Sequence, residues 1–247
     1  MRNRDNWGPS KFVYRRGKLI ASRDTEEVDA ASRLMVDRVA AYYDANLRRH
    51  ARGRLVDLGC GKAPLYRAYA DSVTEVTCVD WGNTSHENAY LDLECDLNKT
   101  LPFTDGAFDT VILSDVLEHI AQPEPLWAEI SRILAPSGKV ILNVPFYYSI
   151  HAGPYDYYRY TEFALRRFVE KSDLRLIQLE SIGGAPEILA DVLAKNVKRF
   201  PLIGSPLAVL AQWLTAGFTK TRFGRKVSRA SGHSFPFGYF LIAEKPS

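Results

Sequence analysis

Cysteine is scarce in this chain, with three among 247 residues. An odd and sparse set is no disulfide framework and is typical of a reducing compartment. Residues 1–10 are polar and basic, so no signal peptide is expected there. No repeat or low-complexity tract is visible, and the 25% of charged residues is ordinary, which argues against disordered, collagen-like and coiled-coil classes. We therefore expect a cytoplasmic globular protein, long enough for a sizeable core.

Acidic side chains are absent from residues 192–243, a stretch that carries eight basic groups. Residues 1–23 are basic as well, with seven cationic side chains against the single acid Asp5. Residues 24–191, between these ends, have a net charge of −11. Two basic ends around an acidic body suggest an anionic partner, although a solvated basic surface is the commoner origin of any one patch.

Short apolar runs alternate with helical stretches after a first helix, which we expect over residues 24–50 behind an irregular arm, residues 1–23. Seven runs are expected to be strands: Arg54–Leu58, Glu75–Asp80, Tyr90–Leu93, Thr110–Leu113, Lys139–Val144, Leu174–Glu180 and Tyr239–Ala243. Three stretches are expected to be helices: Leu65–Ala70, Pro123–Leu134 and Thr161–Lys171. This alternation predicts an α/β fold with a parallel sheet covered on both faces, and with ligands beyond the carboxyl ends of the strands.

A glycine loop follows the first strand of this alternating part. Gly59 and Gly61, with one residue between them, allow a sharp turn and a close approach of the backbone to a ligand. Asp80 ends the next strand, where a carboxylate can accept hydrogen bonds from both hydroxyls of a ribose. Together these features predict a nucleoside site, and the alternative is a simple strand–helix turn. The Gly-x-Gly-x-x-Gly spacing of dehydrogenases fails, because Pro64 occupies its last position.

The sequence resembles the class I S-adenosyl-L-methionine (SAM)-dependent methyltransferases, among them bacterial small-molecule and glycan methyltransferases of type 11. Five segments carry the resemblance: Val56-Asp57-Leu58-Gly59-Cys60-Gly61, Asp80, Leu101-Pro102-Phe103 with Phe108-Asp109, Ser114-Asp115-Val116-Leu117-Glu118-His119, and Arg132 to Lys139. It covers about residues 50–182, and Ala63 departs from it where many members have a third glycine. The resemblance implies a Rossmann-like, seven-stranded, mostly parallel sheet, SAM as the cofactor, and methyl transfer as the reaction.

Ten positions match the cofactor-binding positions of this family: Asp57, Gly59, Cys60 and Gly61 for the methionine moiety, Asp80 for the ribose, Trp81, Asp96 and Leu97 for the adenine, and Ser114 and Asp115 for the methyl-transfer side. For Trp81, simple packing in a loop is nearly as good an explanation.

Two histidines are the catalytic candidates. His119 and His151 both follow strands that should end over the cofactor, and a hydroxyl acceptor must lose a proton to a base. If helical, Asp115, Glu118 and His119 share one face, and their order resembles metal-using methyltransferases for ubiquinone precursors and small-RNA ends, with His151 as a further ligand. Many metal-free relatives resemble this segment too, so we expect no metal.

Tyrosines crowd the segment Asn143–Thr161, which has six in 19 residues. It follows the fifth strand and should cover the acceptor, and phenolic rings suit a sugar, polyol or aromatic acceptor. Tyr147, Tyr157 and Arg159 are expected to contact it; alternatively the segment is a rigid lid in which Asp156 pairs with Arg159. We expect O-methylation of a small-molecule, sugar or lipid-linked glycan acceptor. The alternatives are an RNA methyltransferase, which the acidic body and the lack of an RNA-binding signature disfavour, and a SAM-binding protein without transfer activity.

Residues 186–231 break the alternation and are expected to form a helical insertion before the last strand. They contain 20 uncharged residues, Phe200–Thr219, of which about Pro206–Phe218 can be one helix of roughly 20 Å, too short for a hydrocarbon core of about 30 Å. The insertion could lie on an anionic membrane, form a homodimer contact, or pack as a cap on the sheet or acceptor pocket. The expected parts are an N-terminal arm and helix (1–50), a SAM-binding core (51–185), the insertion (186–231) and a final strand (232–247).

Overall fold

A β-hairpin and a long helix form the beginning of the chain, in a computed structural model that describes residues 1–82 and 88–247. Strands β1 (Phe12–Arg15) and β2 (Lys18–Ala21) pair antiparallel. Arg16 and Gly17 join them at φ 52° and 73°, and two successive left-handed residues make the twist that suits a two-residue hairpin turn. The expectation of an irregular arm over residues 1–23 is therefore wrong.

The first helix, α1 (Arg33–His50), begins later than the sequence pattern predicts. Asp24 and Asp29 explain the difference, because their carboxylates accept hydrogen bonds from the backbone N–H groups two residues on, at 3.0 and 2.8 Å. Such local bonds hold the backbone in turns and compete with the helix. Residues 24–32 therefore form turns.

The remaining elements form an α/β fold. In chain order they are β3 (Gly53–Leu58), α2 (Tyr66–Tyr69), β4 (Val73–Asp80), β5 (Leu93–Glu94), β6 (Phe108–Ser114), α3 (Pro123–Ile133), β7 (Leu134–Pro145), α4 (Glu162–Lys171), β8 (Arg175–Ile182), α5 (Ala185–Val197), α6 (Gly204–Phe218), α7 (Arg222–Ser231) and β9 (Gly238–Glu244). The described part of the chain thus confirms the expected strands, except that the run from Tyr90 pairs only at Leu93–Glu94.

One seven-stranded sheet orders these strands β5-β4-β3-β6-β7-β9-β8. All neighbours are parallel except β9, which is antiparallel to β7 and β8. The chain moves outward from β3 in both directions, so β3 and β6 flank the topological switch point, where ligands bind in such sheets. The predicted Rossmann-like, mostly parallel sheet is confirmed.

Apolar side chains fill both faces of the sheet. Along β7, Val140 and Leu142 pack on one face with Trp127 of α3, and Ile141 packs on the other with Tyr43 of α1. This alternation follows from the two-residue period of a strand. Burying each such side chain contributes about 1.5–3 kcal/mol, which fixes the strand ends that carry the site.

Three helices, α5, α6 and α7, lie between β8 and β9. The small face of α6 packs inward: Ala208 is buried, and the Gln212 side chain donates to the Ala30 carbonyl and accepts from the Leu34 N–H. The large apolar side chains of α6 are exposed instead: Leu207, Leu210, Trp213 and Leu214. They do not pack on the sheet, so the cap alternative fails for this helix. Among the described residues, no helix is both long and apolar enough to span a membrane.

Candidate active site

The glycine loop turns the chain from β3 towards α2. Gly59 and Gly61 have φ 74° and 50°, a region that glycine enters without strain. A Cβ atom on Gly59 would lie 2.5 Å from Cγ2 of Val116, whereas one on Gly61 would meet nothing within 4 Å. Gly59 therefore allows close packing inside the loop, and Gly61 faces open space. Ala63, in place of a third glycine, also takes a left-handed conformation, with φ 47°.

A cavity of about 460 Å³ opens in front of this loop, within the range of small-molecule and cofactor sites. It lies at the carboxyl ends of β3, β4 and β6, beside the switch point of the sheet. Seven of the ten predicted cofactor residues line it: Gly59, Gly61, Asp80, Trp81, Asp96, Leu97 and Asp115. Asn88 and Tyr155, which the sequence analysis did not single out, line it too.

Two backbone hydrogen bonds hold the side chain of Asp80 at the wall of this cavity. Its carboxylate accepts hydrogen bonds from the backbone N–H groups of Gly61 and Trp81, both at 2.8 Å. Burial raises the pKa of Asp80, although both hydrogen bonds act in the opposite direction. The bonds fix the carboxylate at the cavity wall. Among the described residues no further hydrogen bond to it is present, and its other lone pairs can accept from the hydroxyl groups of a ligand. Trp81 forms an edge-to-face pair with Tyr155, with ring centroids 4.8 Å apart.

Three predicted cofactor residues lie behind the wall and do not line the cavity. Burial raises the pKa of Asp57 to about 7, and the Tyr69 hydroxyl donates to its carboxylate at 3.3 Å. The Cys60 thiol is buried and accepts from the side-chain amide of Asn88 at 3.3 Å. The Ser114 hydroxyl donates to Asn143 at 3.1 Å. These side chains stabilise the glycine loop and the strand ends on the side away from the cavity.

A second cavity, of about 310 Å³, adjoins the first. Asp115 and His119 line both cavities, so the two spaces meet at these residues. Lys11, Tyr148 and His151 line only the second of them. A ligand in each cavity would therefore approach the other beside Asp115 and His119.

Asp115 is held in an unusual conformation at this junction, with φ 54°. Non-glycine residues in this region cost free energy and tend to occur at functional sites. The carboxylate accepts from Lys11 Nζ at 2.6 Å and from the Asn143 side-chain amide. Burial lowers the pKa of Lys11, but the charge of Asp115 and its hydrogen bond outweigh that and raise it overall. Lys11, 104 residues away in sequence, thus neutralises the negative charge of Asp115 where the two cavities meet.

Glu118 lies at the centre of a buried cluster. Leu117–His119 form a single 3-10 turn, so the helical face expected for Asp115, Glu118 and His119 does not form. Glu118 points inward with 0% exposure, and its Oε1 lies 3.8 Å from Nε2 of both His119 and His151. Neither carboxylate oxygen has a hydrogen-bond partner among the described residues. Burial accordingly raises the pKa of Glu118, while His151 opposes the shift.

The same cluster has the composition of a small metal site. Glu118, His119 and His151 each offer one ligand atom, and the three atoms lie within 4.8 Å of one another. Carboxylate and imidazole are ordinary ligands of divalent cations. The side chains therefore also fit the metal alternative of the sequence analysis, now without Asp115.

The two histidines differ in their hydrogen bonds. His119 Nδ1 lies 2.8 Å from the Tyr155 carbonyl. This oxygen can only accept, so Nδ1 carries a proton, and in the neutral ring Nε2 carries the lone pair. His151 lies near two carboxylates, and Glu118 and Asp156 together raise its pKa despite partial burial. His119 can therefore act as a base through Nε2, and the raised pKa of His151 favours its positively charged form.

The tyrosine-rich segment differs from the expectation. Tyr147 and Tyr157 are 42% and 46% exposed and line neither cavity. Arg159 forms a bidentate ion pair with Asp156, at 2.6 and 2.7 Å, and this cation lowers the pKa of Asp156. The ion pair of Arg159 fits the rigid-lid alternative. Contact of Tyr147, Tyr157 and Arg159 with the acceptor stays a prediction, because none of the three lines either cavity. Tyr148 and Tyr155 are the tyrosines that reach the cavities.

Comparisons with known proteins agree with this geometry. Residues 56–142 match the family described as a methyltransferase domain. A ubiquinone biosynthesis O-methyltransferase of Idiomarina loihiensis is 30% identical over 100 residues, which are 36% of this chain and 41% of that protein. The chain spans less than half the length of the first curated relatives that it matches.

Solved structures show the same fold. Phosphoethanolamine N-methyltransferase 2 of Haemonchus contortus, solved with SAM, has a TM-score of 0.55 at 16% identity, covering 91% of this chain and 58% of that one. The 4+2 cyclase SpnF has a TM-score of 0.56 at 18% identity, covering 85% of this chain and 83% of its own.

The fold is Rossmann-like, and its cavity lies at the switch point, where such sheets bind ligands. Residues 56–142 match a methyltransferase domain, and the fold is that of solved SAM-dependent methyltransferases. The predicted fold is confirmed, and the domain match agrees with the predicted family and cofactor. The first cavity fits SAM on two observations: Asp80 presents a fixed carboxylate at its wall, and Gly61 leaves the loop open where a side chain would intrude.

Proposed function

We propose that this chain transfers a methyl group from SAM to a hydroxyl oxygen of a small-molecule, sugar or lipid-linked glycan acceptor in the second cavity. The observation that carries the proposal is the meeting of the two cavities at Asp115 and His119. Bound in the first cavity, SAM would supply the activated methyl group. The chain itself must hold the acceptor, exclude water and take its proton.

His119 is the residue we assign to that proton. Its Nε2 keeps a lone pair because Nδ1 donates to the Tyr155 carbonyl, and its ring borders both cavities. His151 lies one ring away, with centroids 4.8 Å apart, and a positive charge there offsets the buried carboxylate of Glu118. Lys11 and Asp115 hold the wall between the two ligands.

The charges of the second cavity favour an uncharged acceptor. Four carboxylates line it, those of Glu27, Asp29, Asp115 and Glu118. Lys11, Lys62 and Lys198 pair with three of them, and His151 lies 3.8 Å from the fourth, Glu118. With these carboxylates paired, the wall suits an uncharged acceptor such as a sugar or a phenol. Tyr148 adds a flat ring suited to a sugar or an aromatic acceptor.

A turnover assay with His119→Gln tests the proposal. Formation of S-adenosylhomocysteine would be measured over a panel of uncharged sugars, polyols, phenols and lipid-linked glycans. We expect turnover with at least one of them, and a loss of about 10²–10⁴-fold in His119→Gln with unchanged affinity for S-adenosylhomocysteine. His233→Gln, an exposed histidine outside both cavities, is the matched control and should keep full turnover.

Two results would count against this function. Tight SAM binding without turnover over the whole panel would favour a SAM-binding protein that transfers nothing. Binding of NAD in preference to SAM, measured by calorimetry, would remove the first cavity from the proposal altogether.

A further inference from the structure

The last three helices expose an unusual amount of apolar surface. We call this the α5–α7 surface and define it by six side chains: Leu193 (53% exposed), Leu202 (96%), Leu210 (47%), Trp213 (69%), Leu214 (56%) and Phe223 (69%). Soluble proteins seldom expose many large apolar side chains on neighbouring elements unless something binds there.

The packing of these helices shows why the apolar side chains point outward. Glycines make the inward contacts: a Cβ on Gly204 would lie 2.4 Å from the Val197 carbonyl, and one on Gly224 would lie 2.0 Å from the Phe218 carbonyl. Small residues bring the helices together, so the large side chains are left on the outside. The exposure is therefore a property of the packed fold.

Unpaired positive charge accompanies the apolar side chains. Arg199, Lys220, Arg222, Arg225 and Lys226 are exposed, and none of them forms an ion pair with a described residue. Residues 192–243 hold no acid at all. The partner must therefore offer apolar contact and negative charge together.

A second copy of the chain fits this requirement poorly. In a symmetric dimer the same patch meets itself, so the five cations would face their own copies across the interface. Like charges so placed are destabilising. An anionic bilayer offers both apolar contact and negative charge. Its acyl chains can contact Leu210 and Trp213, and its phosphates can pair with the cations.

We propose that the α5–α7 surface docks on the interface of an anionic lipid bilayer, with its helices lying in the plane of the membrane. Helix α6 has 15 residues, about 22 Å, which suits a helix on a membrane and not across it. An exposed tryptophan such as Trp213 is typical of surfaces that meet the headgroup region.

The surface continues to the mouth of the second cavity through α5. Lys195 Nζ lies 3.6 Å from the ring centroid of Tyr148, and Lys198 pairs with Asp29. Tyr148 and Asp29 both line that cavity. Docking would therefore place the lipid surface beside the second cavity, which favours a lipid-linked acceptor. This choice of acceptor rests on the proposed function, whereas the docking itself does not.

Co-sedimentation with vesicles tests the docking without cofactor or acceptor, so it succeeds or fails independently of methyl transfer. Vesicles of phosphatidylcholine alone are compared with vesicles that also contain phosphatidylglycerol. We expect strong partitioning into the anionic vesicles only, weakening as salt is raised. Glutamine at Lys220, Arg222, Arg225 and Lys226 should lower it by at least about 100-fold, because each cation near the surface contributes about fivefold.

Matched variants separate docking from general effects. Trp213→Ala should lower partitioning by about tenfold, whereas Phe163→Ala, which removes an equally exposed aromatic ring from α4, should leave it unchanged. Glutamine at Arg48, Arg49, Arg67 and Lys171 removes four exposed cations elsewhere and should change it little. Unchanged circular dichroism and melting temperature will show that each variant is folded.

Three results would overturn the proposal. One is failure to bind either kind of vesicle. Another is a concentration-dependent dimer that Trp213→Ala abolishes, which would assign the surface to a second copy. The third is retention on RNA, but not on vesicles, that is lost with the four cations.

Discussion

Lys11 Nζ lies 2.6 Å from Oδ2 of Asp115, and this ion pair joins the N-terminal arm to the wall shared by the two cavities. Both side chains are about one-third exposed, so the pair is partly shielded from water. Asp115 keeps its left-handed backbone with Lys11 and Asn143 on its carboxylate. The arm therefore helps to shape the site.

A double-mutant cycle measures this coupling. Lys11→Met leaves a half-buried carboxylate without its cation, and we expect it to lower the free energy of unfolding by about 1–3 kcal/mol. In an Asp115→Asn background the same substitution should cost much less, with a coupling of about 0.5–3 kcal/mol. Urea denaturation gives the four values. Lys18→Met, in the same hairpin but exposed, should show no coupling; additive costs for Lys11 and Asp115 would contradict the role given to the pair.

Asp80→Asn tests the cofactor cavity. The substitution keeps the shape of the side chain but removes its charge, which weakens an acceptor of charge-assisted hydrogen bonds worth roughly 1.5–3 kcal/mol. Calorimetry with S-adenosylhomocysteine should show affinity lower by roughly tenfold to 150-fold. Asp71→Asn is the control, because Asp71 precedes the same strand and its side chain is 71% exposed. Unchanged affinity in Asp80→Asn would remove Asp80 from the cofactor site.

The strands could be predicted because their signal is local. The run that becomes β9 (Gly238–Glu244) alternates its packing between the two faces of the sheet, and the apolar side chains alone indicate it. The turn at Arg16-Gly17 was missed because it lacks the Asn-Gly or Asp-Gly pair that marks such hairpins. Helix α1 was placed too early because turns at Asp24 and Asp29 compete with the helical period.

The site divides in the same way. Gly59, Gly61 and Asp80 belong to short motifs at strand ends, so sequence alone assigns them to the cavity. The six tyrosines of residues 143–161 are alike in sequence, and the path of the loop, held by Asp156 and Arg159, decides which of them face inward. Lys11 lies 104 residues from Asp115 in sequence, and no local sequence pattern predicts a contact over that separation.

Chelation distinguishes a base from a metal at Glu118, His119 and His151. We expect turnover to be unchanged by EDTA, because His119 alone is assigned the proton of the acceptor. The control is EDTA saturated with Zn²⁺, which EDTA binds more tightly than Mg²⁺ or Mn²⁺, so that the complex does not remove either of these two ions. Loss of turnover that Mg²⁺ or Mn²⁺ restores, with bound metal found by mass spectrometry, would assign the cluster to a cation instead.

Asp57 should make the stability of the protein depend on pH. Burial raises its pKa to about 7 in the folded chain, whereas an unfolded aspartate titrates near 3.9. Between about pH 4 and pH 7 the folded state therefore binds more protons than the unfolded state, so stability falls as pH rises through that window and levels off above it. From pH 5 to pH 8 the loss due to Asp57 should be on the order of 2–3 kcal/mol.

Asp57→Asn isolates this contribution. Asparagine does not titrate and can still accept the hydrogen bond of the Tyr69 hydroxyl. The free energy of unfolding, measured with urea at each pH from 5 to 8, should fall less in Asp57→Asn than in the unmodified chain, because all other titrating groups are shared. Asp71→Asn, on the surface, should follow the unmodified chain. If the free energy of unfolding fell equally with pH in the unmodified chain and in Asp57→Asn, the carboxyl group would have the same pKa in the folded and unfolded states. Burial next to the glycine loop would then not raise the pKa of Asp57.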